Sequence, residues 1–247
     1  MEWRDEGVVL SVKLHGENAV ILDVLTAQHG RHSGLVRGGR SRRLRPVLQP
    51  GNSVMLQWRA RLEDHLGSYT VELTTARAGV LIEDGFALGG LTAASSVARA
   101  LPERENHSAL FEAYEVLLDN LEDADIWPTL YVRWELGLLQ ELGFGLDLRS
   151  CAVTGVEEGL VYVSPRSGRA VCAEGAGQYK AQLLALPGFL IGEGADQAKE
   201  TDVLDGLALT GHFLEKQIFG PLLGHLPEPR TRLVDIVRKR LMAKAEN

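Results

Sequence analysis

The spacing of apolar residues changes once along the chain, near residue 80, and this excludes any fold built from a single kind of element. Before that point short runs alternate between apolar and polar side chains, the period of a half-buried strand. Residues 7–14 (GVVLSVKL) and 19–25 (AVILDVL) follow this pattern, with HGEN at 15–18 as the turn between them. Residues 30–37 supply a third strand. After Pro50-Gly51-Asn52, Val54, Leu56, Trp58 and Ala60 alternate with Met55, Gln57, Arg59 and Arg61. Gly67-Ser68 then opens YTVELTTA. Five short strands in about 75 residues predict an OB-fold β-barrel over residues 1–80.

From residue 86 the period becomes helical. LTAASSVARAL predicts a helix ending before Pro102, and Ser108 is placed to cap a second one carrying Phe111, Tyr114, Leu118 and Leu121. Pro128 suits the first turn of a third, in which Ile126, Leu130, Trp134, Leu138 and Leu142 recur every four residues, with Gly143 and Gly145 ending it. AQLLALPG, residues 203–219 and residues 231–244 predict further helices. Residues 150–176 interrupt them with a glycine-rich hairpin. The expected fold class is therefore α+β and multidomain: the barrel, then an all-α domain over 81–247 carrying an inserted hairpin.

Charge divides along the same line. The chain of 247 residues is acidic overall, net -7, yet residues 1–80 hold 11 Lys/Arg against 8 Asp/Glu, and residues 81–247 hold 15 against 25. A basic front on an acidic body points to a polyanionic partner for the front and excludes a protein that coats nucleic acid with its whole surface. Residues 31–45, RHSGLVRGGRSRRLR, concentrate the effect: Arg31, Arg37, Arg40, Arg42, Arg43 and Arg45 with no acid among them. Arginine matches phosphate with a planar fork of donors, and Gly34, Gly38 and Gly39 predict a mobile loop that bends close to a ligand. The other reading is a solvated loop that keeps an edge strand from pairing. Arg59 and Arg61 lie on the neighbouring strand, and Trp58 either stacks a base or belongs to the core.

No catalytic motif is present: no H-E-x-x-H pair, no G-x-S-x-G elbow, no phosphate loop ending in G-K-S/T. Nothing in these residues argues for an enzyme or a cofactor, and neither is expected. The only cysteines, Cys151 and Cys172, flank the hairpin. The positions where further zinc ligands would sit hold Thr154 and Gly175, so no metal is expected. MEWRDEGVVL is neither a signal nor a transit peptide, and no run approaches the ~18 apolar residues of a membrane span, so a cytoplasmic protein is expected. Arg133, in an apolar helix, pairs with Glu135 or Asp147, or else holds a partner's carboxylate beside an apolar groove. The last helix carries Arg230, Arg232, Arg238, Lys239, Arg240 and Lys244, which favour its dipole and can extend a basic surface.

Three stretches together resemble the RecO family of bacterial recombination mediators, over nearly the whole length. They are EGVVLSVKLHGENAVILDVLTAQHGRHSGLVRGGR, YVRWELGLLQELGFGLDL and CAVTG…YVSPRSGRAVC. The last is similar to the family's zinc-finger region, with two of its four cysteines missing. The resemblance implies binding of single- and double-stranded DNA, annealing of complementary strands, recognition of the acidic C-terminal tail of single-strand-binding protein, and loading of the RecA recombinase together with RecR. Carried onto this chain, DNA contact falls on Arg37–Arg45 and the face near Arg59 and Arg61, and the tail's carboxylate on Arg133. Alternatives are an OB-fold RNA-binding protein and a non-enzymatic adaptor for acidic tails.

Overall fold

The computed structural model describes residues 1–192 and 199–245. The chain forms two compact units, Met1–Ala124 and Asp125–Asn247. The first begins with five strands, β1 (Glu2–His15), β2 (Ala19–Thr26), β3 (Gly30–Val36), β4 (Ser53–Arg59) and β5 (Ser68–Thr75). β1 is long enough to serve both sides of the sheet. Its first half pairs with β4, Glu2 opposite Arg59, and its second half with β2, Leu14 opposite Val20, with a bulge between Val9 and Ser11 where it bends. The alternation in β4 has the expected cause: Val54, Leu56 and Trp58 are buried with Val9, Val20, Leu22, Val24 and Tyr69 in one core.

The five strands close into a barrel with one narrow seam. The strand order β1-β2-β3-β5-β4 returns on itself, but the seam between β3 and β5 is one parallel residue pair, Leu35 with Ser68, beside a hydrogen bond from Leu35 N–H to the Gly67 carbonyl at 3.1 Å. β5 follows β4 along its whole length, so only its first residues reach β3. There Gly34 makes room for the Tyr69 ring; a Cβ at that position would lie 2.4 Å from it. The closure is therefore narrow at this seam.

α1 (Gly85–Ala98) is capped by Asp84, whose Oδ1 accepts from Phe86 N at 2.9 Å and Ala87 N at 3.0 Å. Its small residues allow close approach to the sheet, and Leu91 fills the space left by Gly51, where a Cβ would lie 2.2 Å from it. α2 (Ser108–Asp119) lies against α1 through Ser95 Oγ and Tyr114 Oη, 3.0 Å apart. Ser108 is not its cap: Asn106 Oδ1 accepts the Ser108 N–H instead, at 2.9 Å.

Within this unit His32 is buried, 2.8 Å from the Tyr69 hydroxyl. Burial, with the Arg104 charge nearby, pushes its pKa down from the usual histidine value to about 4. A folded pKa below the unfolded one means that stability is fully present above about pH 6.5 and falls as pH drops from there toward 4, by up to about 1.4 kcal/mol per pH unit. Ring-proton shifts followed against pH check this; an imidazole titrating near 6.5 refutes it.

The second unit contains α3 (Trp127–Glu141), α4 (Glu200–Leu214) and α5 (Glu228–Ala245). Pro128 occupies the first turn of α3. Its buried face is Trp127, Tyr131, Trp134, Glu135 and Leu138, whereas Ile126 is exposed. The domain is not all-α with a hairpin: β6 (Leu160–Val163) pairs with both β7 (Ala170–Cys172) and β8 (Leu184–Ala185), making a three-stranded sheet. β8 lies within AQLLALPG, read from sequence as a helix. Among the described residues no helix is long and apolar enough to cross a membrane.

Candidate nucleic-acid interface

The arginine segment leaves β3 at Val36 and is not a loose glycine loop. Gly39 is pressed onto the sheet, where a Cβ would lie 2.5 Å from Val20 Cγ2. Residues 41–48 then form helical turns, Arg45 N–H donating to the Ser41 carbonyl and Leu48 N–H to the Leu44 carbonyl, both at 3.0 Å. Leu44, Val47 and Leu48 recur at three and four and pack on the sheet core. The buried Asn52 side chain clamps the far end, its Nδ2 donating to the Pro46 and Val47 carbonyls at 2.9 and 3.1 Å. The expected mobile loop is therefore a held amphipathic turn, which corrects the reading from the glycines.

The apolar face being turned inward, Arg37, Arg40, Arg42, Arg43 and Arg45 are all exposed. Among the described residues none of the five has a carboxylate within ion-pair distance, 4.0 Å. Arg40 donates to the Glu17 backbone carbonyl at 2.7 Å, which orients the guanidinium and leaves its charge uncancelled.

Arg31 behaves differently, although the sequence groups it with the others. Its side chain is 19% exposed; it pairs with Glu103 at 3.0 Å and Asp23 at 3.5 Å, and donates to the carbonyls of Arg99 and Leu101. Burial raises the pKa of Asp23, while Arg31 and Arg99 oppose that rise. Arg31 is a structural tie between β3 and the segment after α1.

Arg59 is exposed and pairs with Glu2 at 2.9 Å, and Arg61 is exposed just beyond the strand. The register sets these two apart from the turn. Arg59 lies level with Glu2 at one end of β1, and Arg40 reaches Glu17 beyond its other end. Trp58 is core, its Nε1 donating to the Leu66 carbonyl at 3.0 Å.

In the second unit Arg133 is exposed. It donates to the Phe189 carbonyl, from Nε at 3.2 Å and Nη2 at 2.7 Å, with its guanidinium 6.0 Å from the centre of the Phe189 ring. Neither expected acid pairs with it: Asp147 lies 3.5 Å from Arg169, and Glu135 is held by Arg230. That last pair was not legible. Arg230, read as part of a basic helix surface, is buried, and its Nε and Nη2 meet the two Glu135 oxygens at 3.0 and 2.9 Å. Arg238 and Arg240 are paired too, with Asp235 and Glu200, each at 3.0 Å. The Lys244 side chain lies outside the described residues.

The two thiols are buried, Cys172 as the last residue of β7. Cys151 Sγ accepts from Cys172 N at 3.3 Å, and Thr154 Oγ1 lies 3.4 Å from Cys172 Sγ. Burial pushes the Cys151 thiol up, but hydrogen bonds from Cys172, Thr154 and Val153 outweigh it and bring it to about 6. A Cβ at Gly175 would lie 3.0 Å from Cys151 Sγ and 3.4 Å from Cys172 Sγ, so Thr154 and Gly175 stand around the sulfurs and supply no further thiolate.

Two family profiles match the chain, "Recombination protein O N terminal" over residues 1–77 and "Recombination protein O C terminal" over residues 82–225. Full-length relatives agree. The chain is 51% identical over 242 residues to the DNA repair protein RecO of Rhodospirillum centenum, covering 97% of this chain and 96% of the relative. It is 52% identical over 241 residues to that of Cereibacter sphaeroides, covering 97% and 99%. With that of Ruegeria sp. it shares 48% over 244 residues, covering 98% and 100%.

Proposed function

Because the chain belongs to the RecO family, whose role is to mediate DNA repair and recombination without catalysis, we propose that its exposed arginine turn is the surface that holds DNA. The observation that carries this is five arginines within residues 37–45, exposed and without an ion-paired carboxylate among the described residues. Phosphates bind to such a surface by releasing counterions, so affinity falls as salt rises. Five contacts at about 0.7 each predict a log–log slope of roughly -3.5 on a single strand. Fluorescence anisotropy of a labelled oligonucleotide over a salt series measures it, and a flat response refutes the assignment.

Arg31 drops out of this surface because its charge is consumed. Arg59 and Arg61 make a separate, weaker contact, since Arg59 already shares its charge with Glu2. Neutralised strands can approach one another, which supports annealing. In the same reading the 1–80 segment carries the DNA contact, RecR joins the chain in loading RecA at gaps coated by single-strand-binding protein, and the work is cytoplasmic. The relatives' names speak of DNA repair and give no support to an RNA partner.

Arg133 is our candidate for the terminal carboxylate of the single-strand-binding protein tail. The Phe189 carbonyl orients the guanidinium and leaves Nη1 free of any protein partner among the described residues. Arg133→Ala is expected to weaken binding of the acidic tail peptide about tenfold, the scale of one charge-assisted hydrogen bond, and to leave affinity for naked DNA unchanged. Calorimetric titration with the peptide decides it; equal affinity in the variant removes Arg133 from the site.

A further inference from the structure

A cleft of about 540 Å³ opens beside the arginine turn, with Val12 and Leu14 on its apolar side, Val20 and Leu48 at its base, and Arg40, Arg45 and Gln49 on its polar side. Its apolar side exists because the β1–β2 hairpin runs past the end of the core: Leu14 and Val20 are cross-strand partners, yet Val20 is buried and Leu14 is 66% exposed. The charged side is held in place. Gly39 sits hard against Val20, and the next residue, Arg40, is tethered by the Glu17 carbonyl.

We propose that this cleft takes an unstacked base from a single DNA strand, with the Arg40 and Arg45 guanidiniums on the flanking phosphates; this rests on the DNA reading above. The pairing of surfaces selects the occupant. The faces of a base are apolar and suit Val12 and Leu14, and the chain that carries the base is a polyanion and suits the arginines. A neutral apolar ligand would leave both cations unused. The volume falls within the usual range for ligand sites, about 300–1,000 Å³. A duplex keeps its bases stacked inside and offers the cleft nothing but phosphate, so this site favours single strands.

The test compares a thymine oligonucleotide, the same backbone with abasic sites, and a duplex, at one salt concentration. The intact strand is expected to bind at least about fivefold more tightly than the abasic strand, the low end for engaging one base. Leu14→Ser is expected to abolish that preference, and Leu14→Met to keep it; Leu14 is exposed, so neither variant disturbs the core. Equal affinity for intact and abasic strands with the salt slope intact overturns the base site and leaves the arginine surface standing. Full preference in Leu14→Ser overturns it too. Absence of salt-dependent binding to any of the three overturns both proposals.

Discussion

Replacing Arg40, Arg42 and Arg43 together with alanine is expected to weaken single-stranded DNA binding roughly 50-fold at 0.15 M salt and to flatten the salt slope from about -3.5 to about -1.4. Both figures follow from removing three of five phosphate contacts, each worth about 0.7 of a log unit in affinity per log unit of salt. The loss should be the same for every sequence, because phosphates position a strand and do not identify its bases. Folding should survive, since all three side chains are exposed, while the residues that anchor the turn, Leu44, Val47 and Leu48, are untouched. Arg31→Ala is the contrasting variant. Its partners Asp23 and Glu103 would lose their cation, so it should lower stability and leave the slope in place. Anisotropy over a salt series, with thermal melts of each variant, separates the two roles. A triple variant with the parent's slope would show that the DNA lies elsewhere.

The second large effect concerns stability. Glu135→Ala should lower the unfolding free energy of the C-terminal unit by about 3–5 kcal/mol, because it leaves Arg230 charged and buried with no counterion. Arg230 is 2% exposed and Glu135 0%. Burial works against the guanidinium's charge, but Glu135 outweighs it and holds the Arg230 pKa above its ordinary value. The pair is embedded in further bonds: Thr210 Oγ1 donates to Glu135 Oε2 at 2.5 Å, and Arg230 Nη2 to the Leu207 carbonyl at 2.6 Å. Replacing both charges, as Glu135→Leu with Arg230→Met, should recover most of the loss, since Thr210 still has the Gly206 carbonyl to bond, at 3.1 Å. Urea unfolding of the single and double variants measures this. A double variant as unstable as Glu135→Ala would mean that packing, not the uncompensated charge, sets the cost.

Much of the fold was legible because strand and helix periods are short-range. Val54, Leu56 and Trp58 alternate and are buried; Pro128 and Gly143 bracket α3. Where short-range signals competed, the reading slipped. Leu183-Leu184 has an apolar run that suits a helix or a strand equally, and pairing of Leu184 with Val163 decided for the strand. The barrel's seam shows the same limit: five alternating runs specify five strands, but not over how many residues the last reaches the third.

The candidate site divides in the same way. The chemical character of the candidate interface was written in the sequence by itself, because six arginines without an acid among fifteen residues concentrate positive charge in one segment. Which of those charges stay available was decided only in three dimensions. Arg31 is cancelled by Glu103, Arg230 by Glu135 ninety-five positions away, and Gly39 and Leu48 stiffen a segment whose composition suggests slack. Periodicity reports on neighbours two to four residues apart, whereas the neutralisation of a charge depends on whatever the completed fold brings within a few ångströms of it.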